Sequence, residues 1–317
     1  MNQTYWMDVR SATRKAVRHW IYDPNVTFID FGWRIRGNKL RDEEAPCIRV
    51  HLVKKIPKSG LEAATQQGIT RGSIPDTIGP FEVDRPVGVY RLHQWWRPVT
   101  NPRQSRVTPM QGGISISDAY RRIAGTLGGA VIDRDTGKRM ILSNWHVLAG
   151  RWQARPGWPI CQPGRGDGGG WSDTVARLSR HAMDSNLDAA VAELTCSREL
   201  LNEQFDLAPV EDVGWAQVGM DVIKSGRTTE ITRGRVTGVE GTAKMPYSGV
   251  YRLIRNVMTI EPRLGAQVSS GGDSGSFWLD EETMNVVGLH FAGSDYPEHA
   301  LAIDMPPILK ALNVDMA

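Results

Sequence analysis

The sequence predicts a mainly β protein preceded by a small α/β module, and three observations predict it. From residue 125 onward, short apolar or alternating segments recur between turn residues, the pattern of many short strands. Glycine (33) and proline (18) are plentiful among the 317 residues, which suits tight connections. Helical periodicity is confined to residues 7 to 22, a short stretch at Leu61 to Gln67, and the tail Pro306 to Leu312.

In chain order, Val9, Ala12, Ala16, Val17 and Trp20 make one apolar face of the first helix. Arg10, Arg14, Lys15 and Arg18 make its solvated face. Val26 to Trp33 and Cys47 to Val53 read as strands joined through Gly37-Asn38, and Phe81 to Asp84 as another. His51 and His93 lie in strand-like surroundings and read as packed or surface residues. Arg97 to Gly113 is rich in Pro, Arg, Gln and Gly and has no periodicity, so it reads as a linker. The expected organisation is a module over 1–96, a linker over 97–115 and a β region over 116–317. Strand candidates in that region are Gly125 to Ile132, Arg139 to Leu142, Asp188 to Leu194, Asp221 to Lys224, Gly234 to Thr237, Ser276 to Leu279 and Val286 to Phe291.

Composition narrows the function. A net charge of +3 gives no electrostatic case for nucleic acid. No apolar run is long enough to span a membrane, and the N-terminus lacks the apolar core of a signal peptide. Cys47, Cys161 and Cys196 are odd in number and scattered, without metal-ligand spacing, so neither a disulfide framework nor a metal site is expected. The glycine-rich stretch Gly157 to Gly170 lacks the Lys-Ser/Thr ending of a phosphate loop and reads as a surface loop, with Cys161 a bystander. A soluble cytoplasmic protein without a cofactor is the expectation.

One stretch carries chemistry: Ser269-Ser270-Gly271-Gly272-Asp273-Ser274-Gly275-Ser276-Phe277-Trp278. Glycines on both sides of Asp273-Ser274 permit a tight turn that projects the Ser274 hydroxyl and gathers backbone N–H groups beside it. A serine needs a base and an orienting acid to act as a nucleophile. His146 ends an apolar strand in Leu142 to Ala149, and Asp188 opens an alternating strand in Asn186 to Leu194. Asp184 is the rival acid.

The order His, Asp, Ser, with gaps of about 40 and about 85 residues, resembles the chymotrypsin-like (trypsin-like) serine proteases over residues 116 to 317. The resemblance implies a double β-barrel, with Ser274 the nucleophile and His146 the general base and then acid. Asp188 would orient the imidazole, and the Gly272 and Ser274 amides would form the oxyanion hole. In mammalian relatives a new N-terminal amine pairs with the acid before the serine. Here Lys224-Ser-Gly-Arg-Thr-Thr229 resembles a segment of bacterial secreted relatives that supplies a basic side chain instead. Lys224 is the first candidate for Asp273 and Arg227 the second. Two departures stand out: Trp145 precedes the histidine, where small residues are usual, and there are no paired cysteines.

The resemblance also places Val268, Ser269, His290 and Gly293 at the primary specificity pocket. Val268 stands where trypsins carry an aspartate, so a basic P1 residue has no counter-charge. Glutamate-specific bacterial relatives have a histidine matching His290 and a hydroxyl residue matching Ser269, which implies cleavage after Glu; the alternative is that His290 is a packed strand residue and P1 is small or apolar. The expected function is therefore a serine endopeptidase acting on a protein or peptide substrate. The N-terminal strands resemble a module found in bacterial trypsin-like peptidases and in plant narrow-leaf proteases, a place for a regulatory partner. The competing reading is a regulated or silent protease-fold binding protein controlled through that module.

Overall fold

The computed structural model describes residues 3–36, 39–92, 101–263, 267–295 and 298–317. Two large sheets dominate, one of eight strands and one of eleven. The eight-stranded sheet runs Gly125–Thr126, Ser115–Asp118, Pro159–Cys161, Thr174–His181, Ala190–Leu194, Arg139–Ser143, Gly129–Asp133, Val314–Met316. The larger sheet contains a ring of pairings. Asp221–Gly226 pairs with Phe277–Asp280, and the order continues through Val286–Asp295, Glu298–Asp304, Val250–Pro262 and Glu230–Tyr247. Glu230–Tyr247 then pairs back with Asp221–Gly226. Alternation along these strands sends Val222, Val236, Met258, Ile260, Trp278 and Val287 into one buried cluster.

Apart from the two-stranded pair Arg34–Arg36 and Lys39–Arg41, the N-terminal strands join the larger sheet. Val26–Gly32 pairs antiparallel with Glu230–Tyr247, with Phe28 opposite Ala243 and Phe31 opposite Val239. Cys47–Leu52, Phe81–Asp84 and Thr77–Ile78 then extend the same sheet. The first helix, Gln3–Trp20, lays Val9, Ala12 and Ala16 on Ile29, Phe31, Ile48 and Val50. Each such large aliphatic side chain withdrawn from water contributes roughly 1.5–3 kcal/mol. The seam also holds a buried polar network. Asp30 accepts from Arg49 Nε (2.8 Å), His51 Nε2 (3.2 Å) and Thr259 Oγ1 (2.8 Å). Burial alone would push the Asp30 carboxyl up, but the adjacent Arg49 guanidinium outweighs it and holds the group well below the usual carboxylate range.

The stretch expected to be a linker differs from expectation. Residues 97–100 and His93 lie outside the described residues, as does the Gly37-Asn38 join. From Asn101 on, however, the chain is packed. Arg103 is buried, donates to Ser225 Oγ and to Asp206 Oδ2 (3.0 Å), and lies 4.7 Å from the Phe205 ring centroid. Met110–Gly112 forms a parallel pair with Leu200–Gln204, and Ser115–Asp118 belongs to the eight-stranded sheet. Arg and Gln read as solvated in a sequence, yet here the Arg103 guanidinium finds partners inside the fold and Gln104 is buried as well. No described helix is long and apolar enough to cross a membrane.

Candidate active site

His146 lies in the single helical turn Trp145–Leu148, directly after the strand Arg139–Ser143. Asp188 precedes the strand Ala190–Leu194, which pairs with Arg139–Ser143, so the register brings the two residues together. Asp188 Oδ1 accepts from the His146 backbone N–H at 3.0 Å, and Oδ2 meets His146 Nδ1. An ionised carboxylate only accepts, so Nδ1 carries the ring proton and Nε2 is left as an acceptor. His146 Nε2 is buried with no hydrogen-bond partner among the described residues. Asp184, the rival acid, is exposed on the 3-10 turn Met183–Ser185.

Two further residues support Asp188. Tyr247 Oη donates to Oδ2 at 2.8 Å from the other large sheet, and Asn144 Nδ2 donates to the Asp188 carbonyl at 2.7 Å. Asn144 is two residues from His146 and was open to suspicion on that ground; Tyr247 is joined to the site by tertiary structure alone. Trp145 is buried behind the histidine, 4.7 Å from Trp152 and 5.9 Å from Tyr247 between ring centroids. Its edge, with His146, Tyr247, Leu92 and Arg121, lines a cleft of about 490 Å³.

The Ser274 turn is held from both sheets. Thr126 N donates to the Ser274 carbonyl at 2.7 Å, and Ser143 Oγ donates to the Thr126 carbonyl at 2.7 Å. Thus the turn is tied to the strand that leads to His146. Gly272 and Gly275 both adopt φ of +101°, open to glycine and costly for other residues. A side chain at Gly275 would also collide with Thr126 O and Ser143 Oγ. Among the described residues, the Gly272 and Ser274 amides have no hydrogen-bond acceptor. The Ser274 hydroxyl donates to the Phe291 carbonyl at 3.1 Å, and no hydrogen bond joins it to His146.

Asp273 faces inward, fully buried. Its carboxylate takes Lys224 Nζ at 3.2 Å, Thr229 Oγ1 at 2.6 Å, and the amides of Thr228, Ser270 and Thr229 at 2.9, 2.9 and 3.1 Å. Burial raises its pKa, but the Lys224 charge and the Thr229 hydrogen bonds more than reverse this, so the group is held well below its ordinary value. Arg227 goes elsewhere: its Nε donates to Asp167 Oδ2 at 2.7 Å, pinning the glycine-rich loop.

At the expected specificity pocket, Val268 packs with Trp278, Ala300 and Ala302. Ser269 Oγ is buried without a partner among the described residues. His290 is buried opposite Ala302, with its Nδ1 3.5 Å from Trp278 Nε1. Gly293 pairs with Ala300 on one side and Arg91 on the other. Burial pushes the Cys161 thiol up to about 12 and the Cys47 thiol up to about 11, so neither is a thiolate near neutral pH.

The chain is similar to solved structures of bacterial chymotrypsin-like serine proteases. Chymotrypsin from Cellulomonas bogoriensis is 19% identical over 66% of this chain and 98% of its own, with a TM-score of 0.49. Protease A from Thermobifida fusca is 15% identical over 66% and 98%, with a TM-score of 0.48. A glutamic acid specific serine protease is 19% identical over 66% of this chain and 100% of its own, with a TM-score of 0.49. No family model and no curated protein matches the chain.

Proposed function

We propose that the protein is a serine endopeptidase that works through an acyl-enzyme. The observation that carries the proposal is the His146 imidazole, held by Asp188 at Nδ1 with Nε2 buried and unpartnered among the described residues, on the helical turn after a strand that Ser143 and Thr126 tie to the Ser274 turn. In the reaction, Ser274 Oγ bonds to the substrate carbonyl carbon while its proton passes to His146 Nε2. The tetrahedral oxyanion is met by the Gly272 and Ser274 amides, each donor lowering the barrier by about 3 kcal/mol. Collapse breaks the C–N bond, and His146 returns the proton to the leaving amine. Water then repeats the sequence on the acyl-enzyme, with His146 again taking and returning the proton. Asp188, with Tyr247 behind it, keeps the imidazolium stable and the ring oriented.

The test is covalent labelling by a fluorophosphonate. The wild-type chain labels and hydrolyses peptides; Ser274→Ala does neither. Turnover by purified Ser274→Ala protein would end the proposal.

The finer part of the proposal is cleavage after Glu. A buried hydroxyl without a partner, Ser269 Oγ, and the His290 imidazole are groups that suit a P1 carboxylate, which is costly to bury unpaired. Peptide libraries decide it: no preference for Glu, or a preference unaltered in His290→Ala, refutes it.

One observation favours the second reading, a regulated protease fold. Ser274 and His146 are both fully buried, and the Ser274 hydroxyl is turned to Phe291 rather than to its base. A chain that labels only after the N-terminal segment is loosened fits that reading.

A further inference from the structure

The strand Val286–Asp295 changes neighbours along its length. Its first part pairs with Phe277–Asp280, through Leu289 opposite Phe277. Next along the same edge comes the nucleophile turn, with Gly275 N donating to His290 O at 2.9 Å and Ser274 Oγ donating to Phe291 O. Beyond Phe291 the edge of Ala292 and Gly293 is taken by the two-residue strand Arg91–Leu92, antiparallel, with Leu92 opposite Ala292 and Arg91 opposite Gly293. An edge with unpaired N–H and C=O groups is where an extended peptide adds as a further strand.

Direction matters here. From Arg91 to Leu92 the chain advances toward Phe291, and so toward Ser274. That is the polarity of a substrate whose residues before the scissile bond lie on this edge and whose carbonyl reaches the nucleophile. Leu92 also lines the cleft that His146 and Tyr247 line. We infer that Arg91–Leu92 is a resident occupant of the strand edge on which an extended polypeptide substrate must pair, and that a substrate competes with it. The inference rests on the protease reading above.

The occupant is held in place from the N-terminal extension. Leu52 N donates to Pro86 O at 2.8 Å, Gly88 N to Leu52 O at 3.0 Å, and Thr27 Oγ1 to Gly88 O at 2.7 Å. Tyr90 is buried, with its hydroxyl 2.8 Å from His51 Nδ1 and its ring against Phe28. Arg91 itself is exposed and Leu92 half-buried. A tethered strand of this kind competes at an effective concentration of about millimolar, whatever its intrinsic affinity.

The experiment uses the full chain. Arg91→Pro/Leu92→Pro removes both N–H donors of the occupant, so it cannot keep an antiparallel ladder. The result expected is about a tenfold or greater fall in KM for peptides long enough to lie along Phe291–Gly293, with the gain shrinking for single-residue esters that do not reach the edge. Leu92→Ala, which keeps the N–H and loses only packing, shifts KM the same way by less, and serves if the double proline chain does not fold. Fluorophosphonate labelling of Ser274 separates the failures. Labelling of all chains with unchanged KM for long peptides overturns the occupant and leaves the protease standing. Absence of labelling in every chain overturns the protease reading and the occupant with it.

Discussion

Lys224→Met isolates the ion pair beneath the Ser274 turn. In the folded protein Asp273 has five donors, of which Lys224 Nζ alone carries a full charge. Breaking a buried pair by removing one partner costs about 3–5 kcal/mol. Four neutral donors remain, three amides and the Thr229 hydroxyl, so the expected loss lies near about 3 kcal/mol. The pH dependence gives a second signature. The folded pKa of Asp273 is depressed, so the stability it contributes is present above the unfolded value and is lost as pH falls through the folded one. Without Lys224 that folded pKa rises. The deficit of the variant relative to wild type is therefore largest near neutrality and shrinks as pH falls through the carboxylate range, where Asp273 in the variant takes up a proton. Urea melts at pH 7 and at pH 4, with peptide hydrolysis at pH 7, check both parts. Full stability and activity of Lys224→Met at pH 7, or a deficit that grows in acid, would refute the reasoning.

If the proposed triad holds, His146→Ala and Ser274→Ala each lose hydrolysis by several orders of magnitude while melting like wild type, because the members of a triad act as a unit. Tyr247→Phe removes one hydrogen bond to the buried Asp188 carboxylate, worth about 1.5–3 kcal/mol, so kcat should fall by roughly 10- to 150-fold with the fold intact. Arg49→Met leaves Asp30 buried with His51 and Thr259 alone, and should lower stability by about 3–5 kcal/mol in chemical denaturation. A chain beginning at residue 114 loses the strands Val26–Gly32 and Cys47–Leu52 and bares the edge of Glu230–Tyr247. It should be recovered insoluble or with fast amide exchange along that strand, whereas slow exchange in a soluble monomer would show the extension to be dispensable.

How much was legible follows from the range of each interaction. The Ser274 turn was readable because glycines, acid and hydroxyl lie within a few residues. His146 and Asp188 were readable because each sits at the end of a short strand of simple pattern. Glu230–Tyr247 and Val250–Pro262 were read only as the fragment Gly234 to Thr237. Gly234, Gly238, Gly241 and Pro246 interrupt the first, and the register shifts between Val236 and Thr242 break its period-2 alternation. The turn between them carried a signal that was passed over: Ser248 and Gly249 have φ of +46° and +83°, a two-residue hairpin connection flanked by Tyr247 opposite Val250. Thr174–His181 was missed because its apolar residues are only Val175, Ala176 and Leu178, and Arg180 falls on the face of Ala176 and Leu178. Lys224 could be ranked ahead of Arg227 from motif position alone, but the Arg227–Asp167 contact belongs to a loop far away in sequence and left no trace.

Tyr90 joins two features that the sequence kept apart. Its hydroxyl meets His51, which shares Asp30 with Arg49 and Thr259, so it belongs to the network that holds the N-terminal strands to the large sheet. One residue later the chain reaches the edge at Gly293. The two need not open together. Tyr90 is buried among Phe28, His51 and His299, whereas Arg91 is exposed and Leu92 half-buried in a strand of two residues. Elements with few buried contacts open at the low end of a protein's range of local stabilities, while packed network residues open only near the global limit. Among the described residues, admission of a peptide to Ala292–Gly293 therefore requires release of Arg91–Leu92 and not of Tyr90. A partner that acted on the N-terminal strands would have to work through Tyr90, at the larger cost of disturbing the Asp30 network.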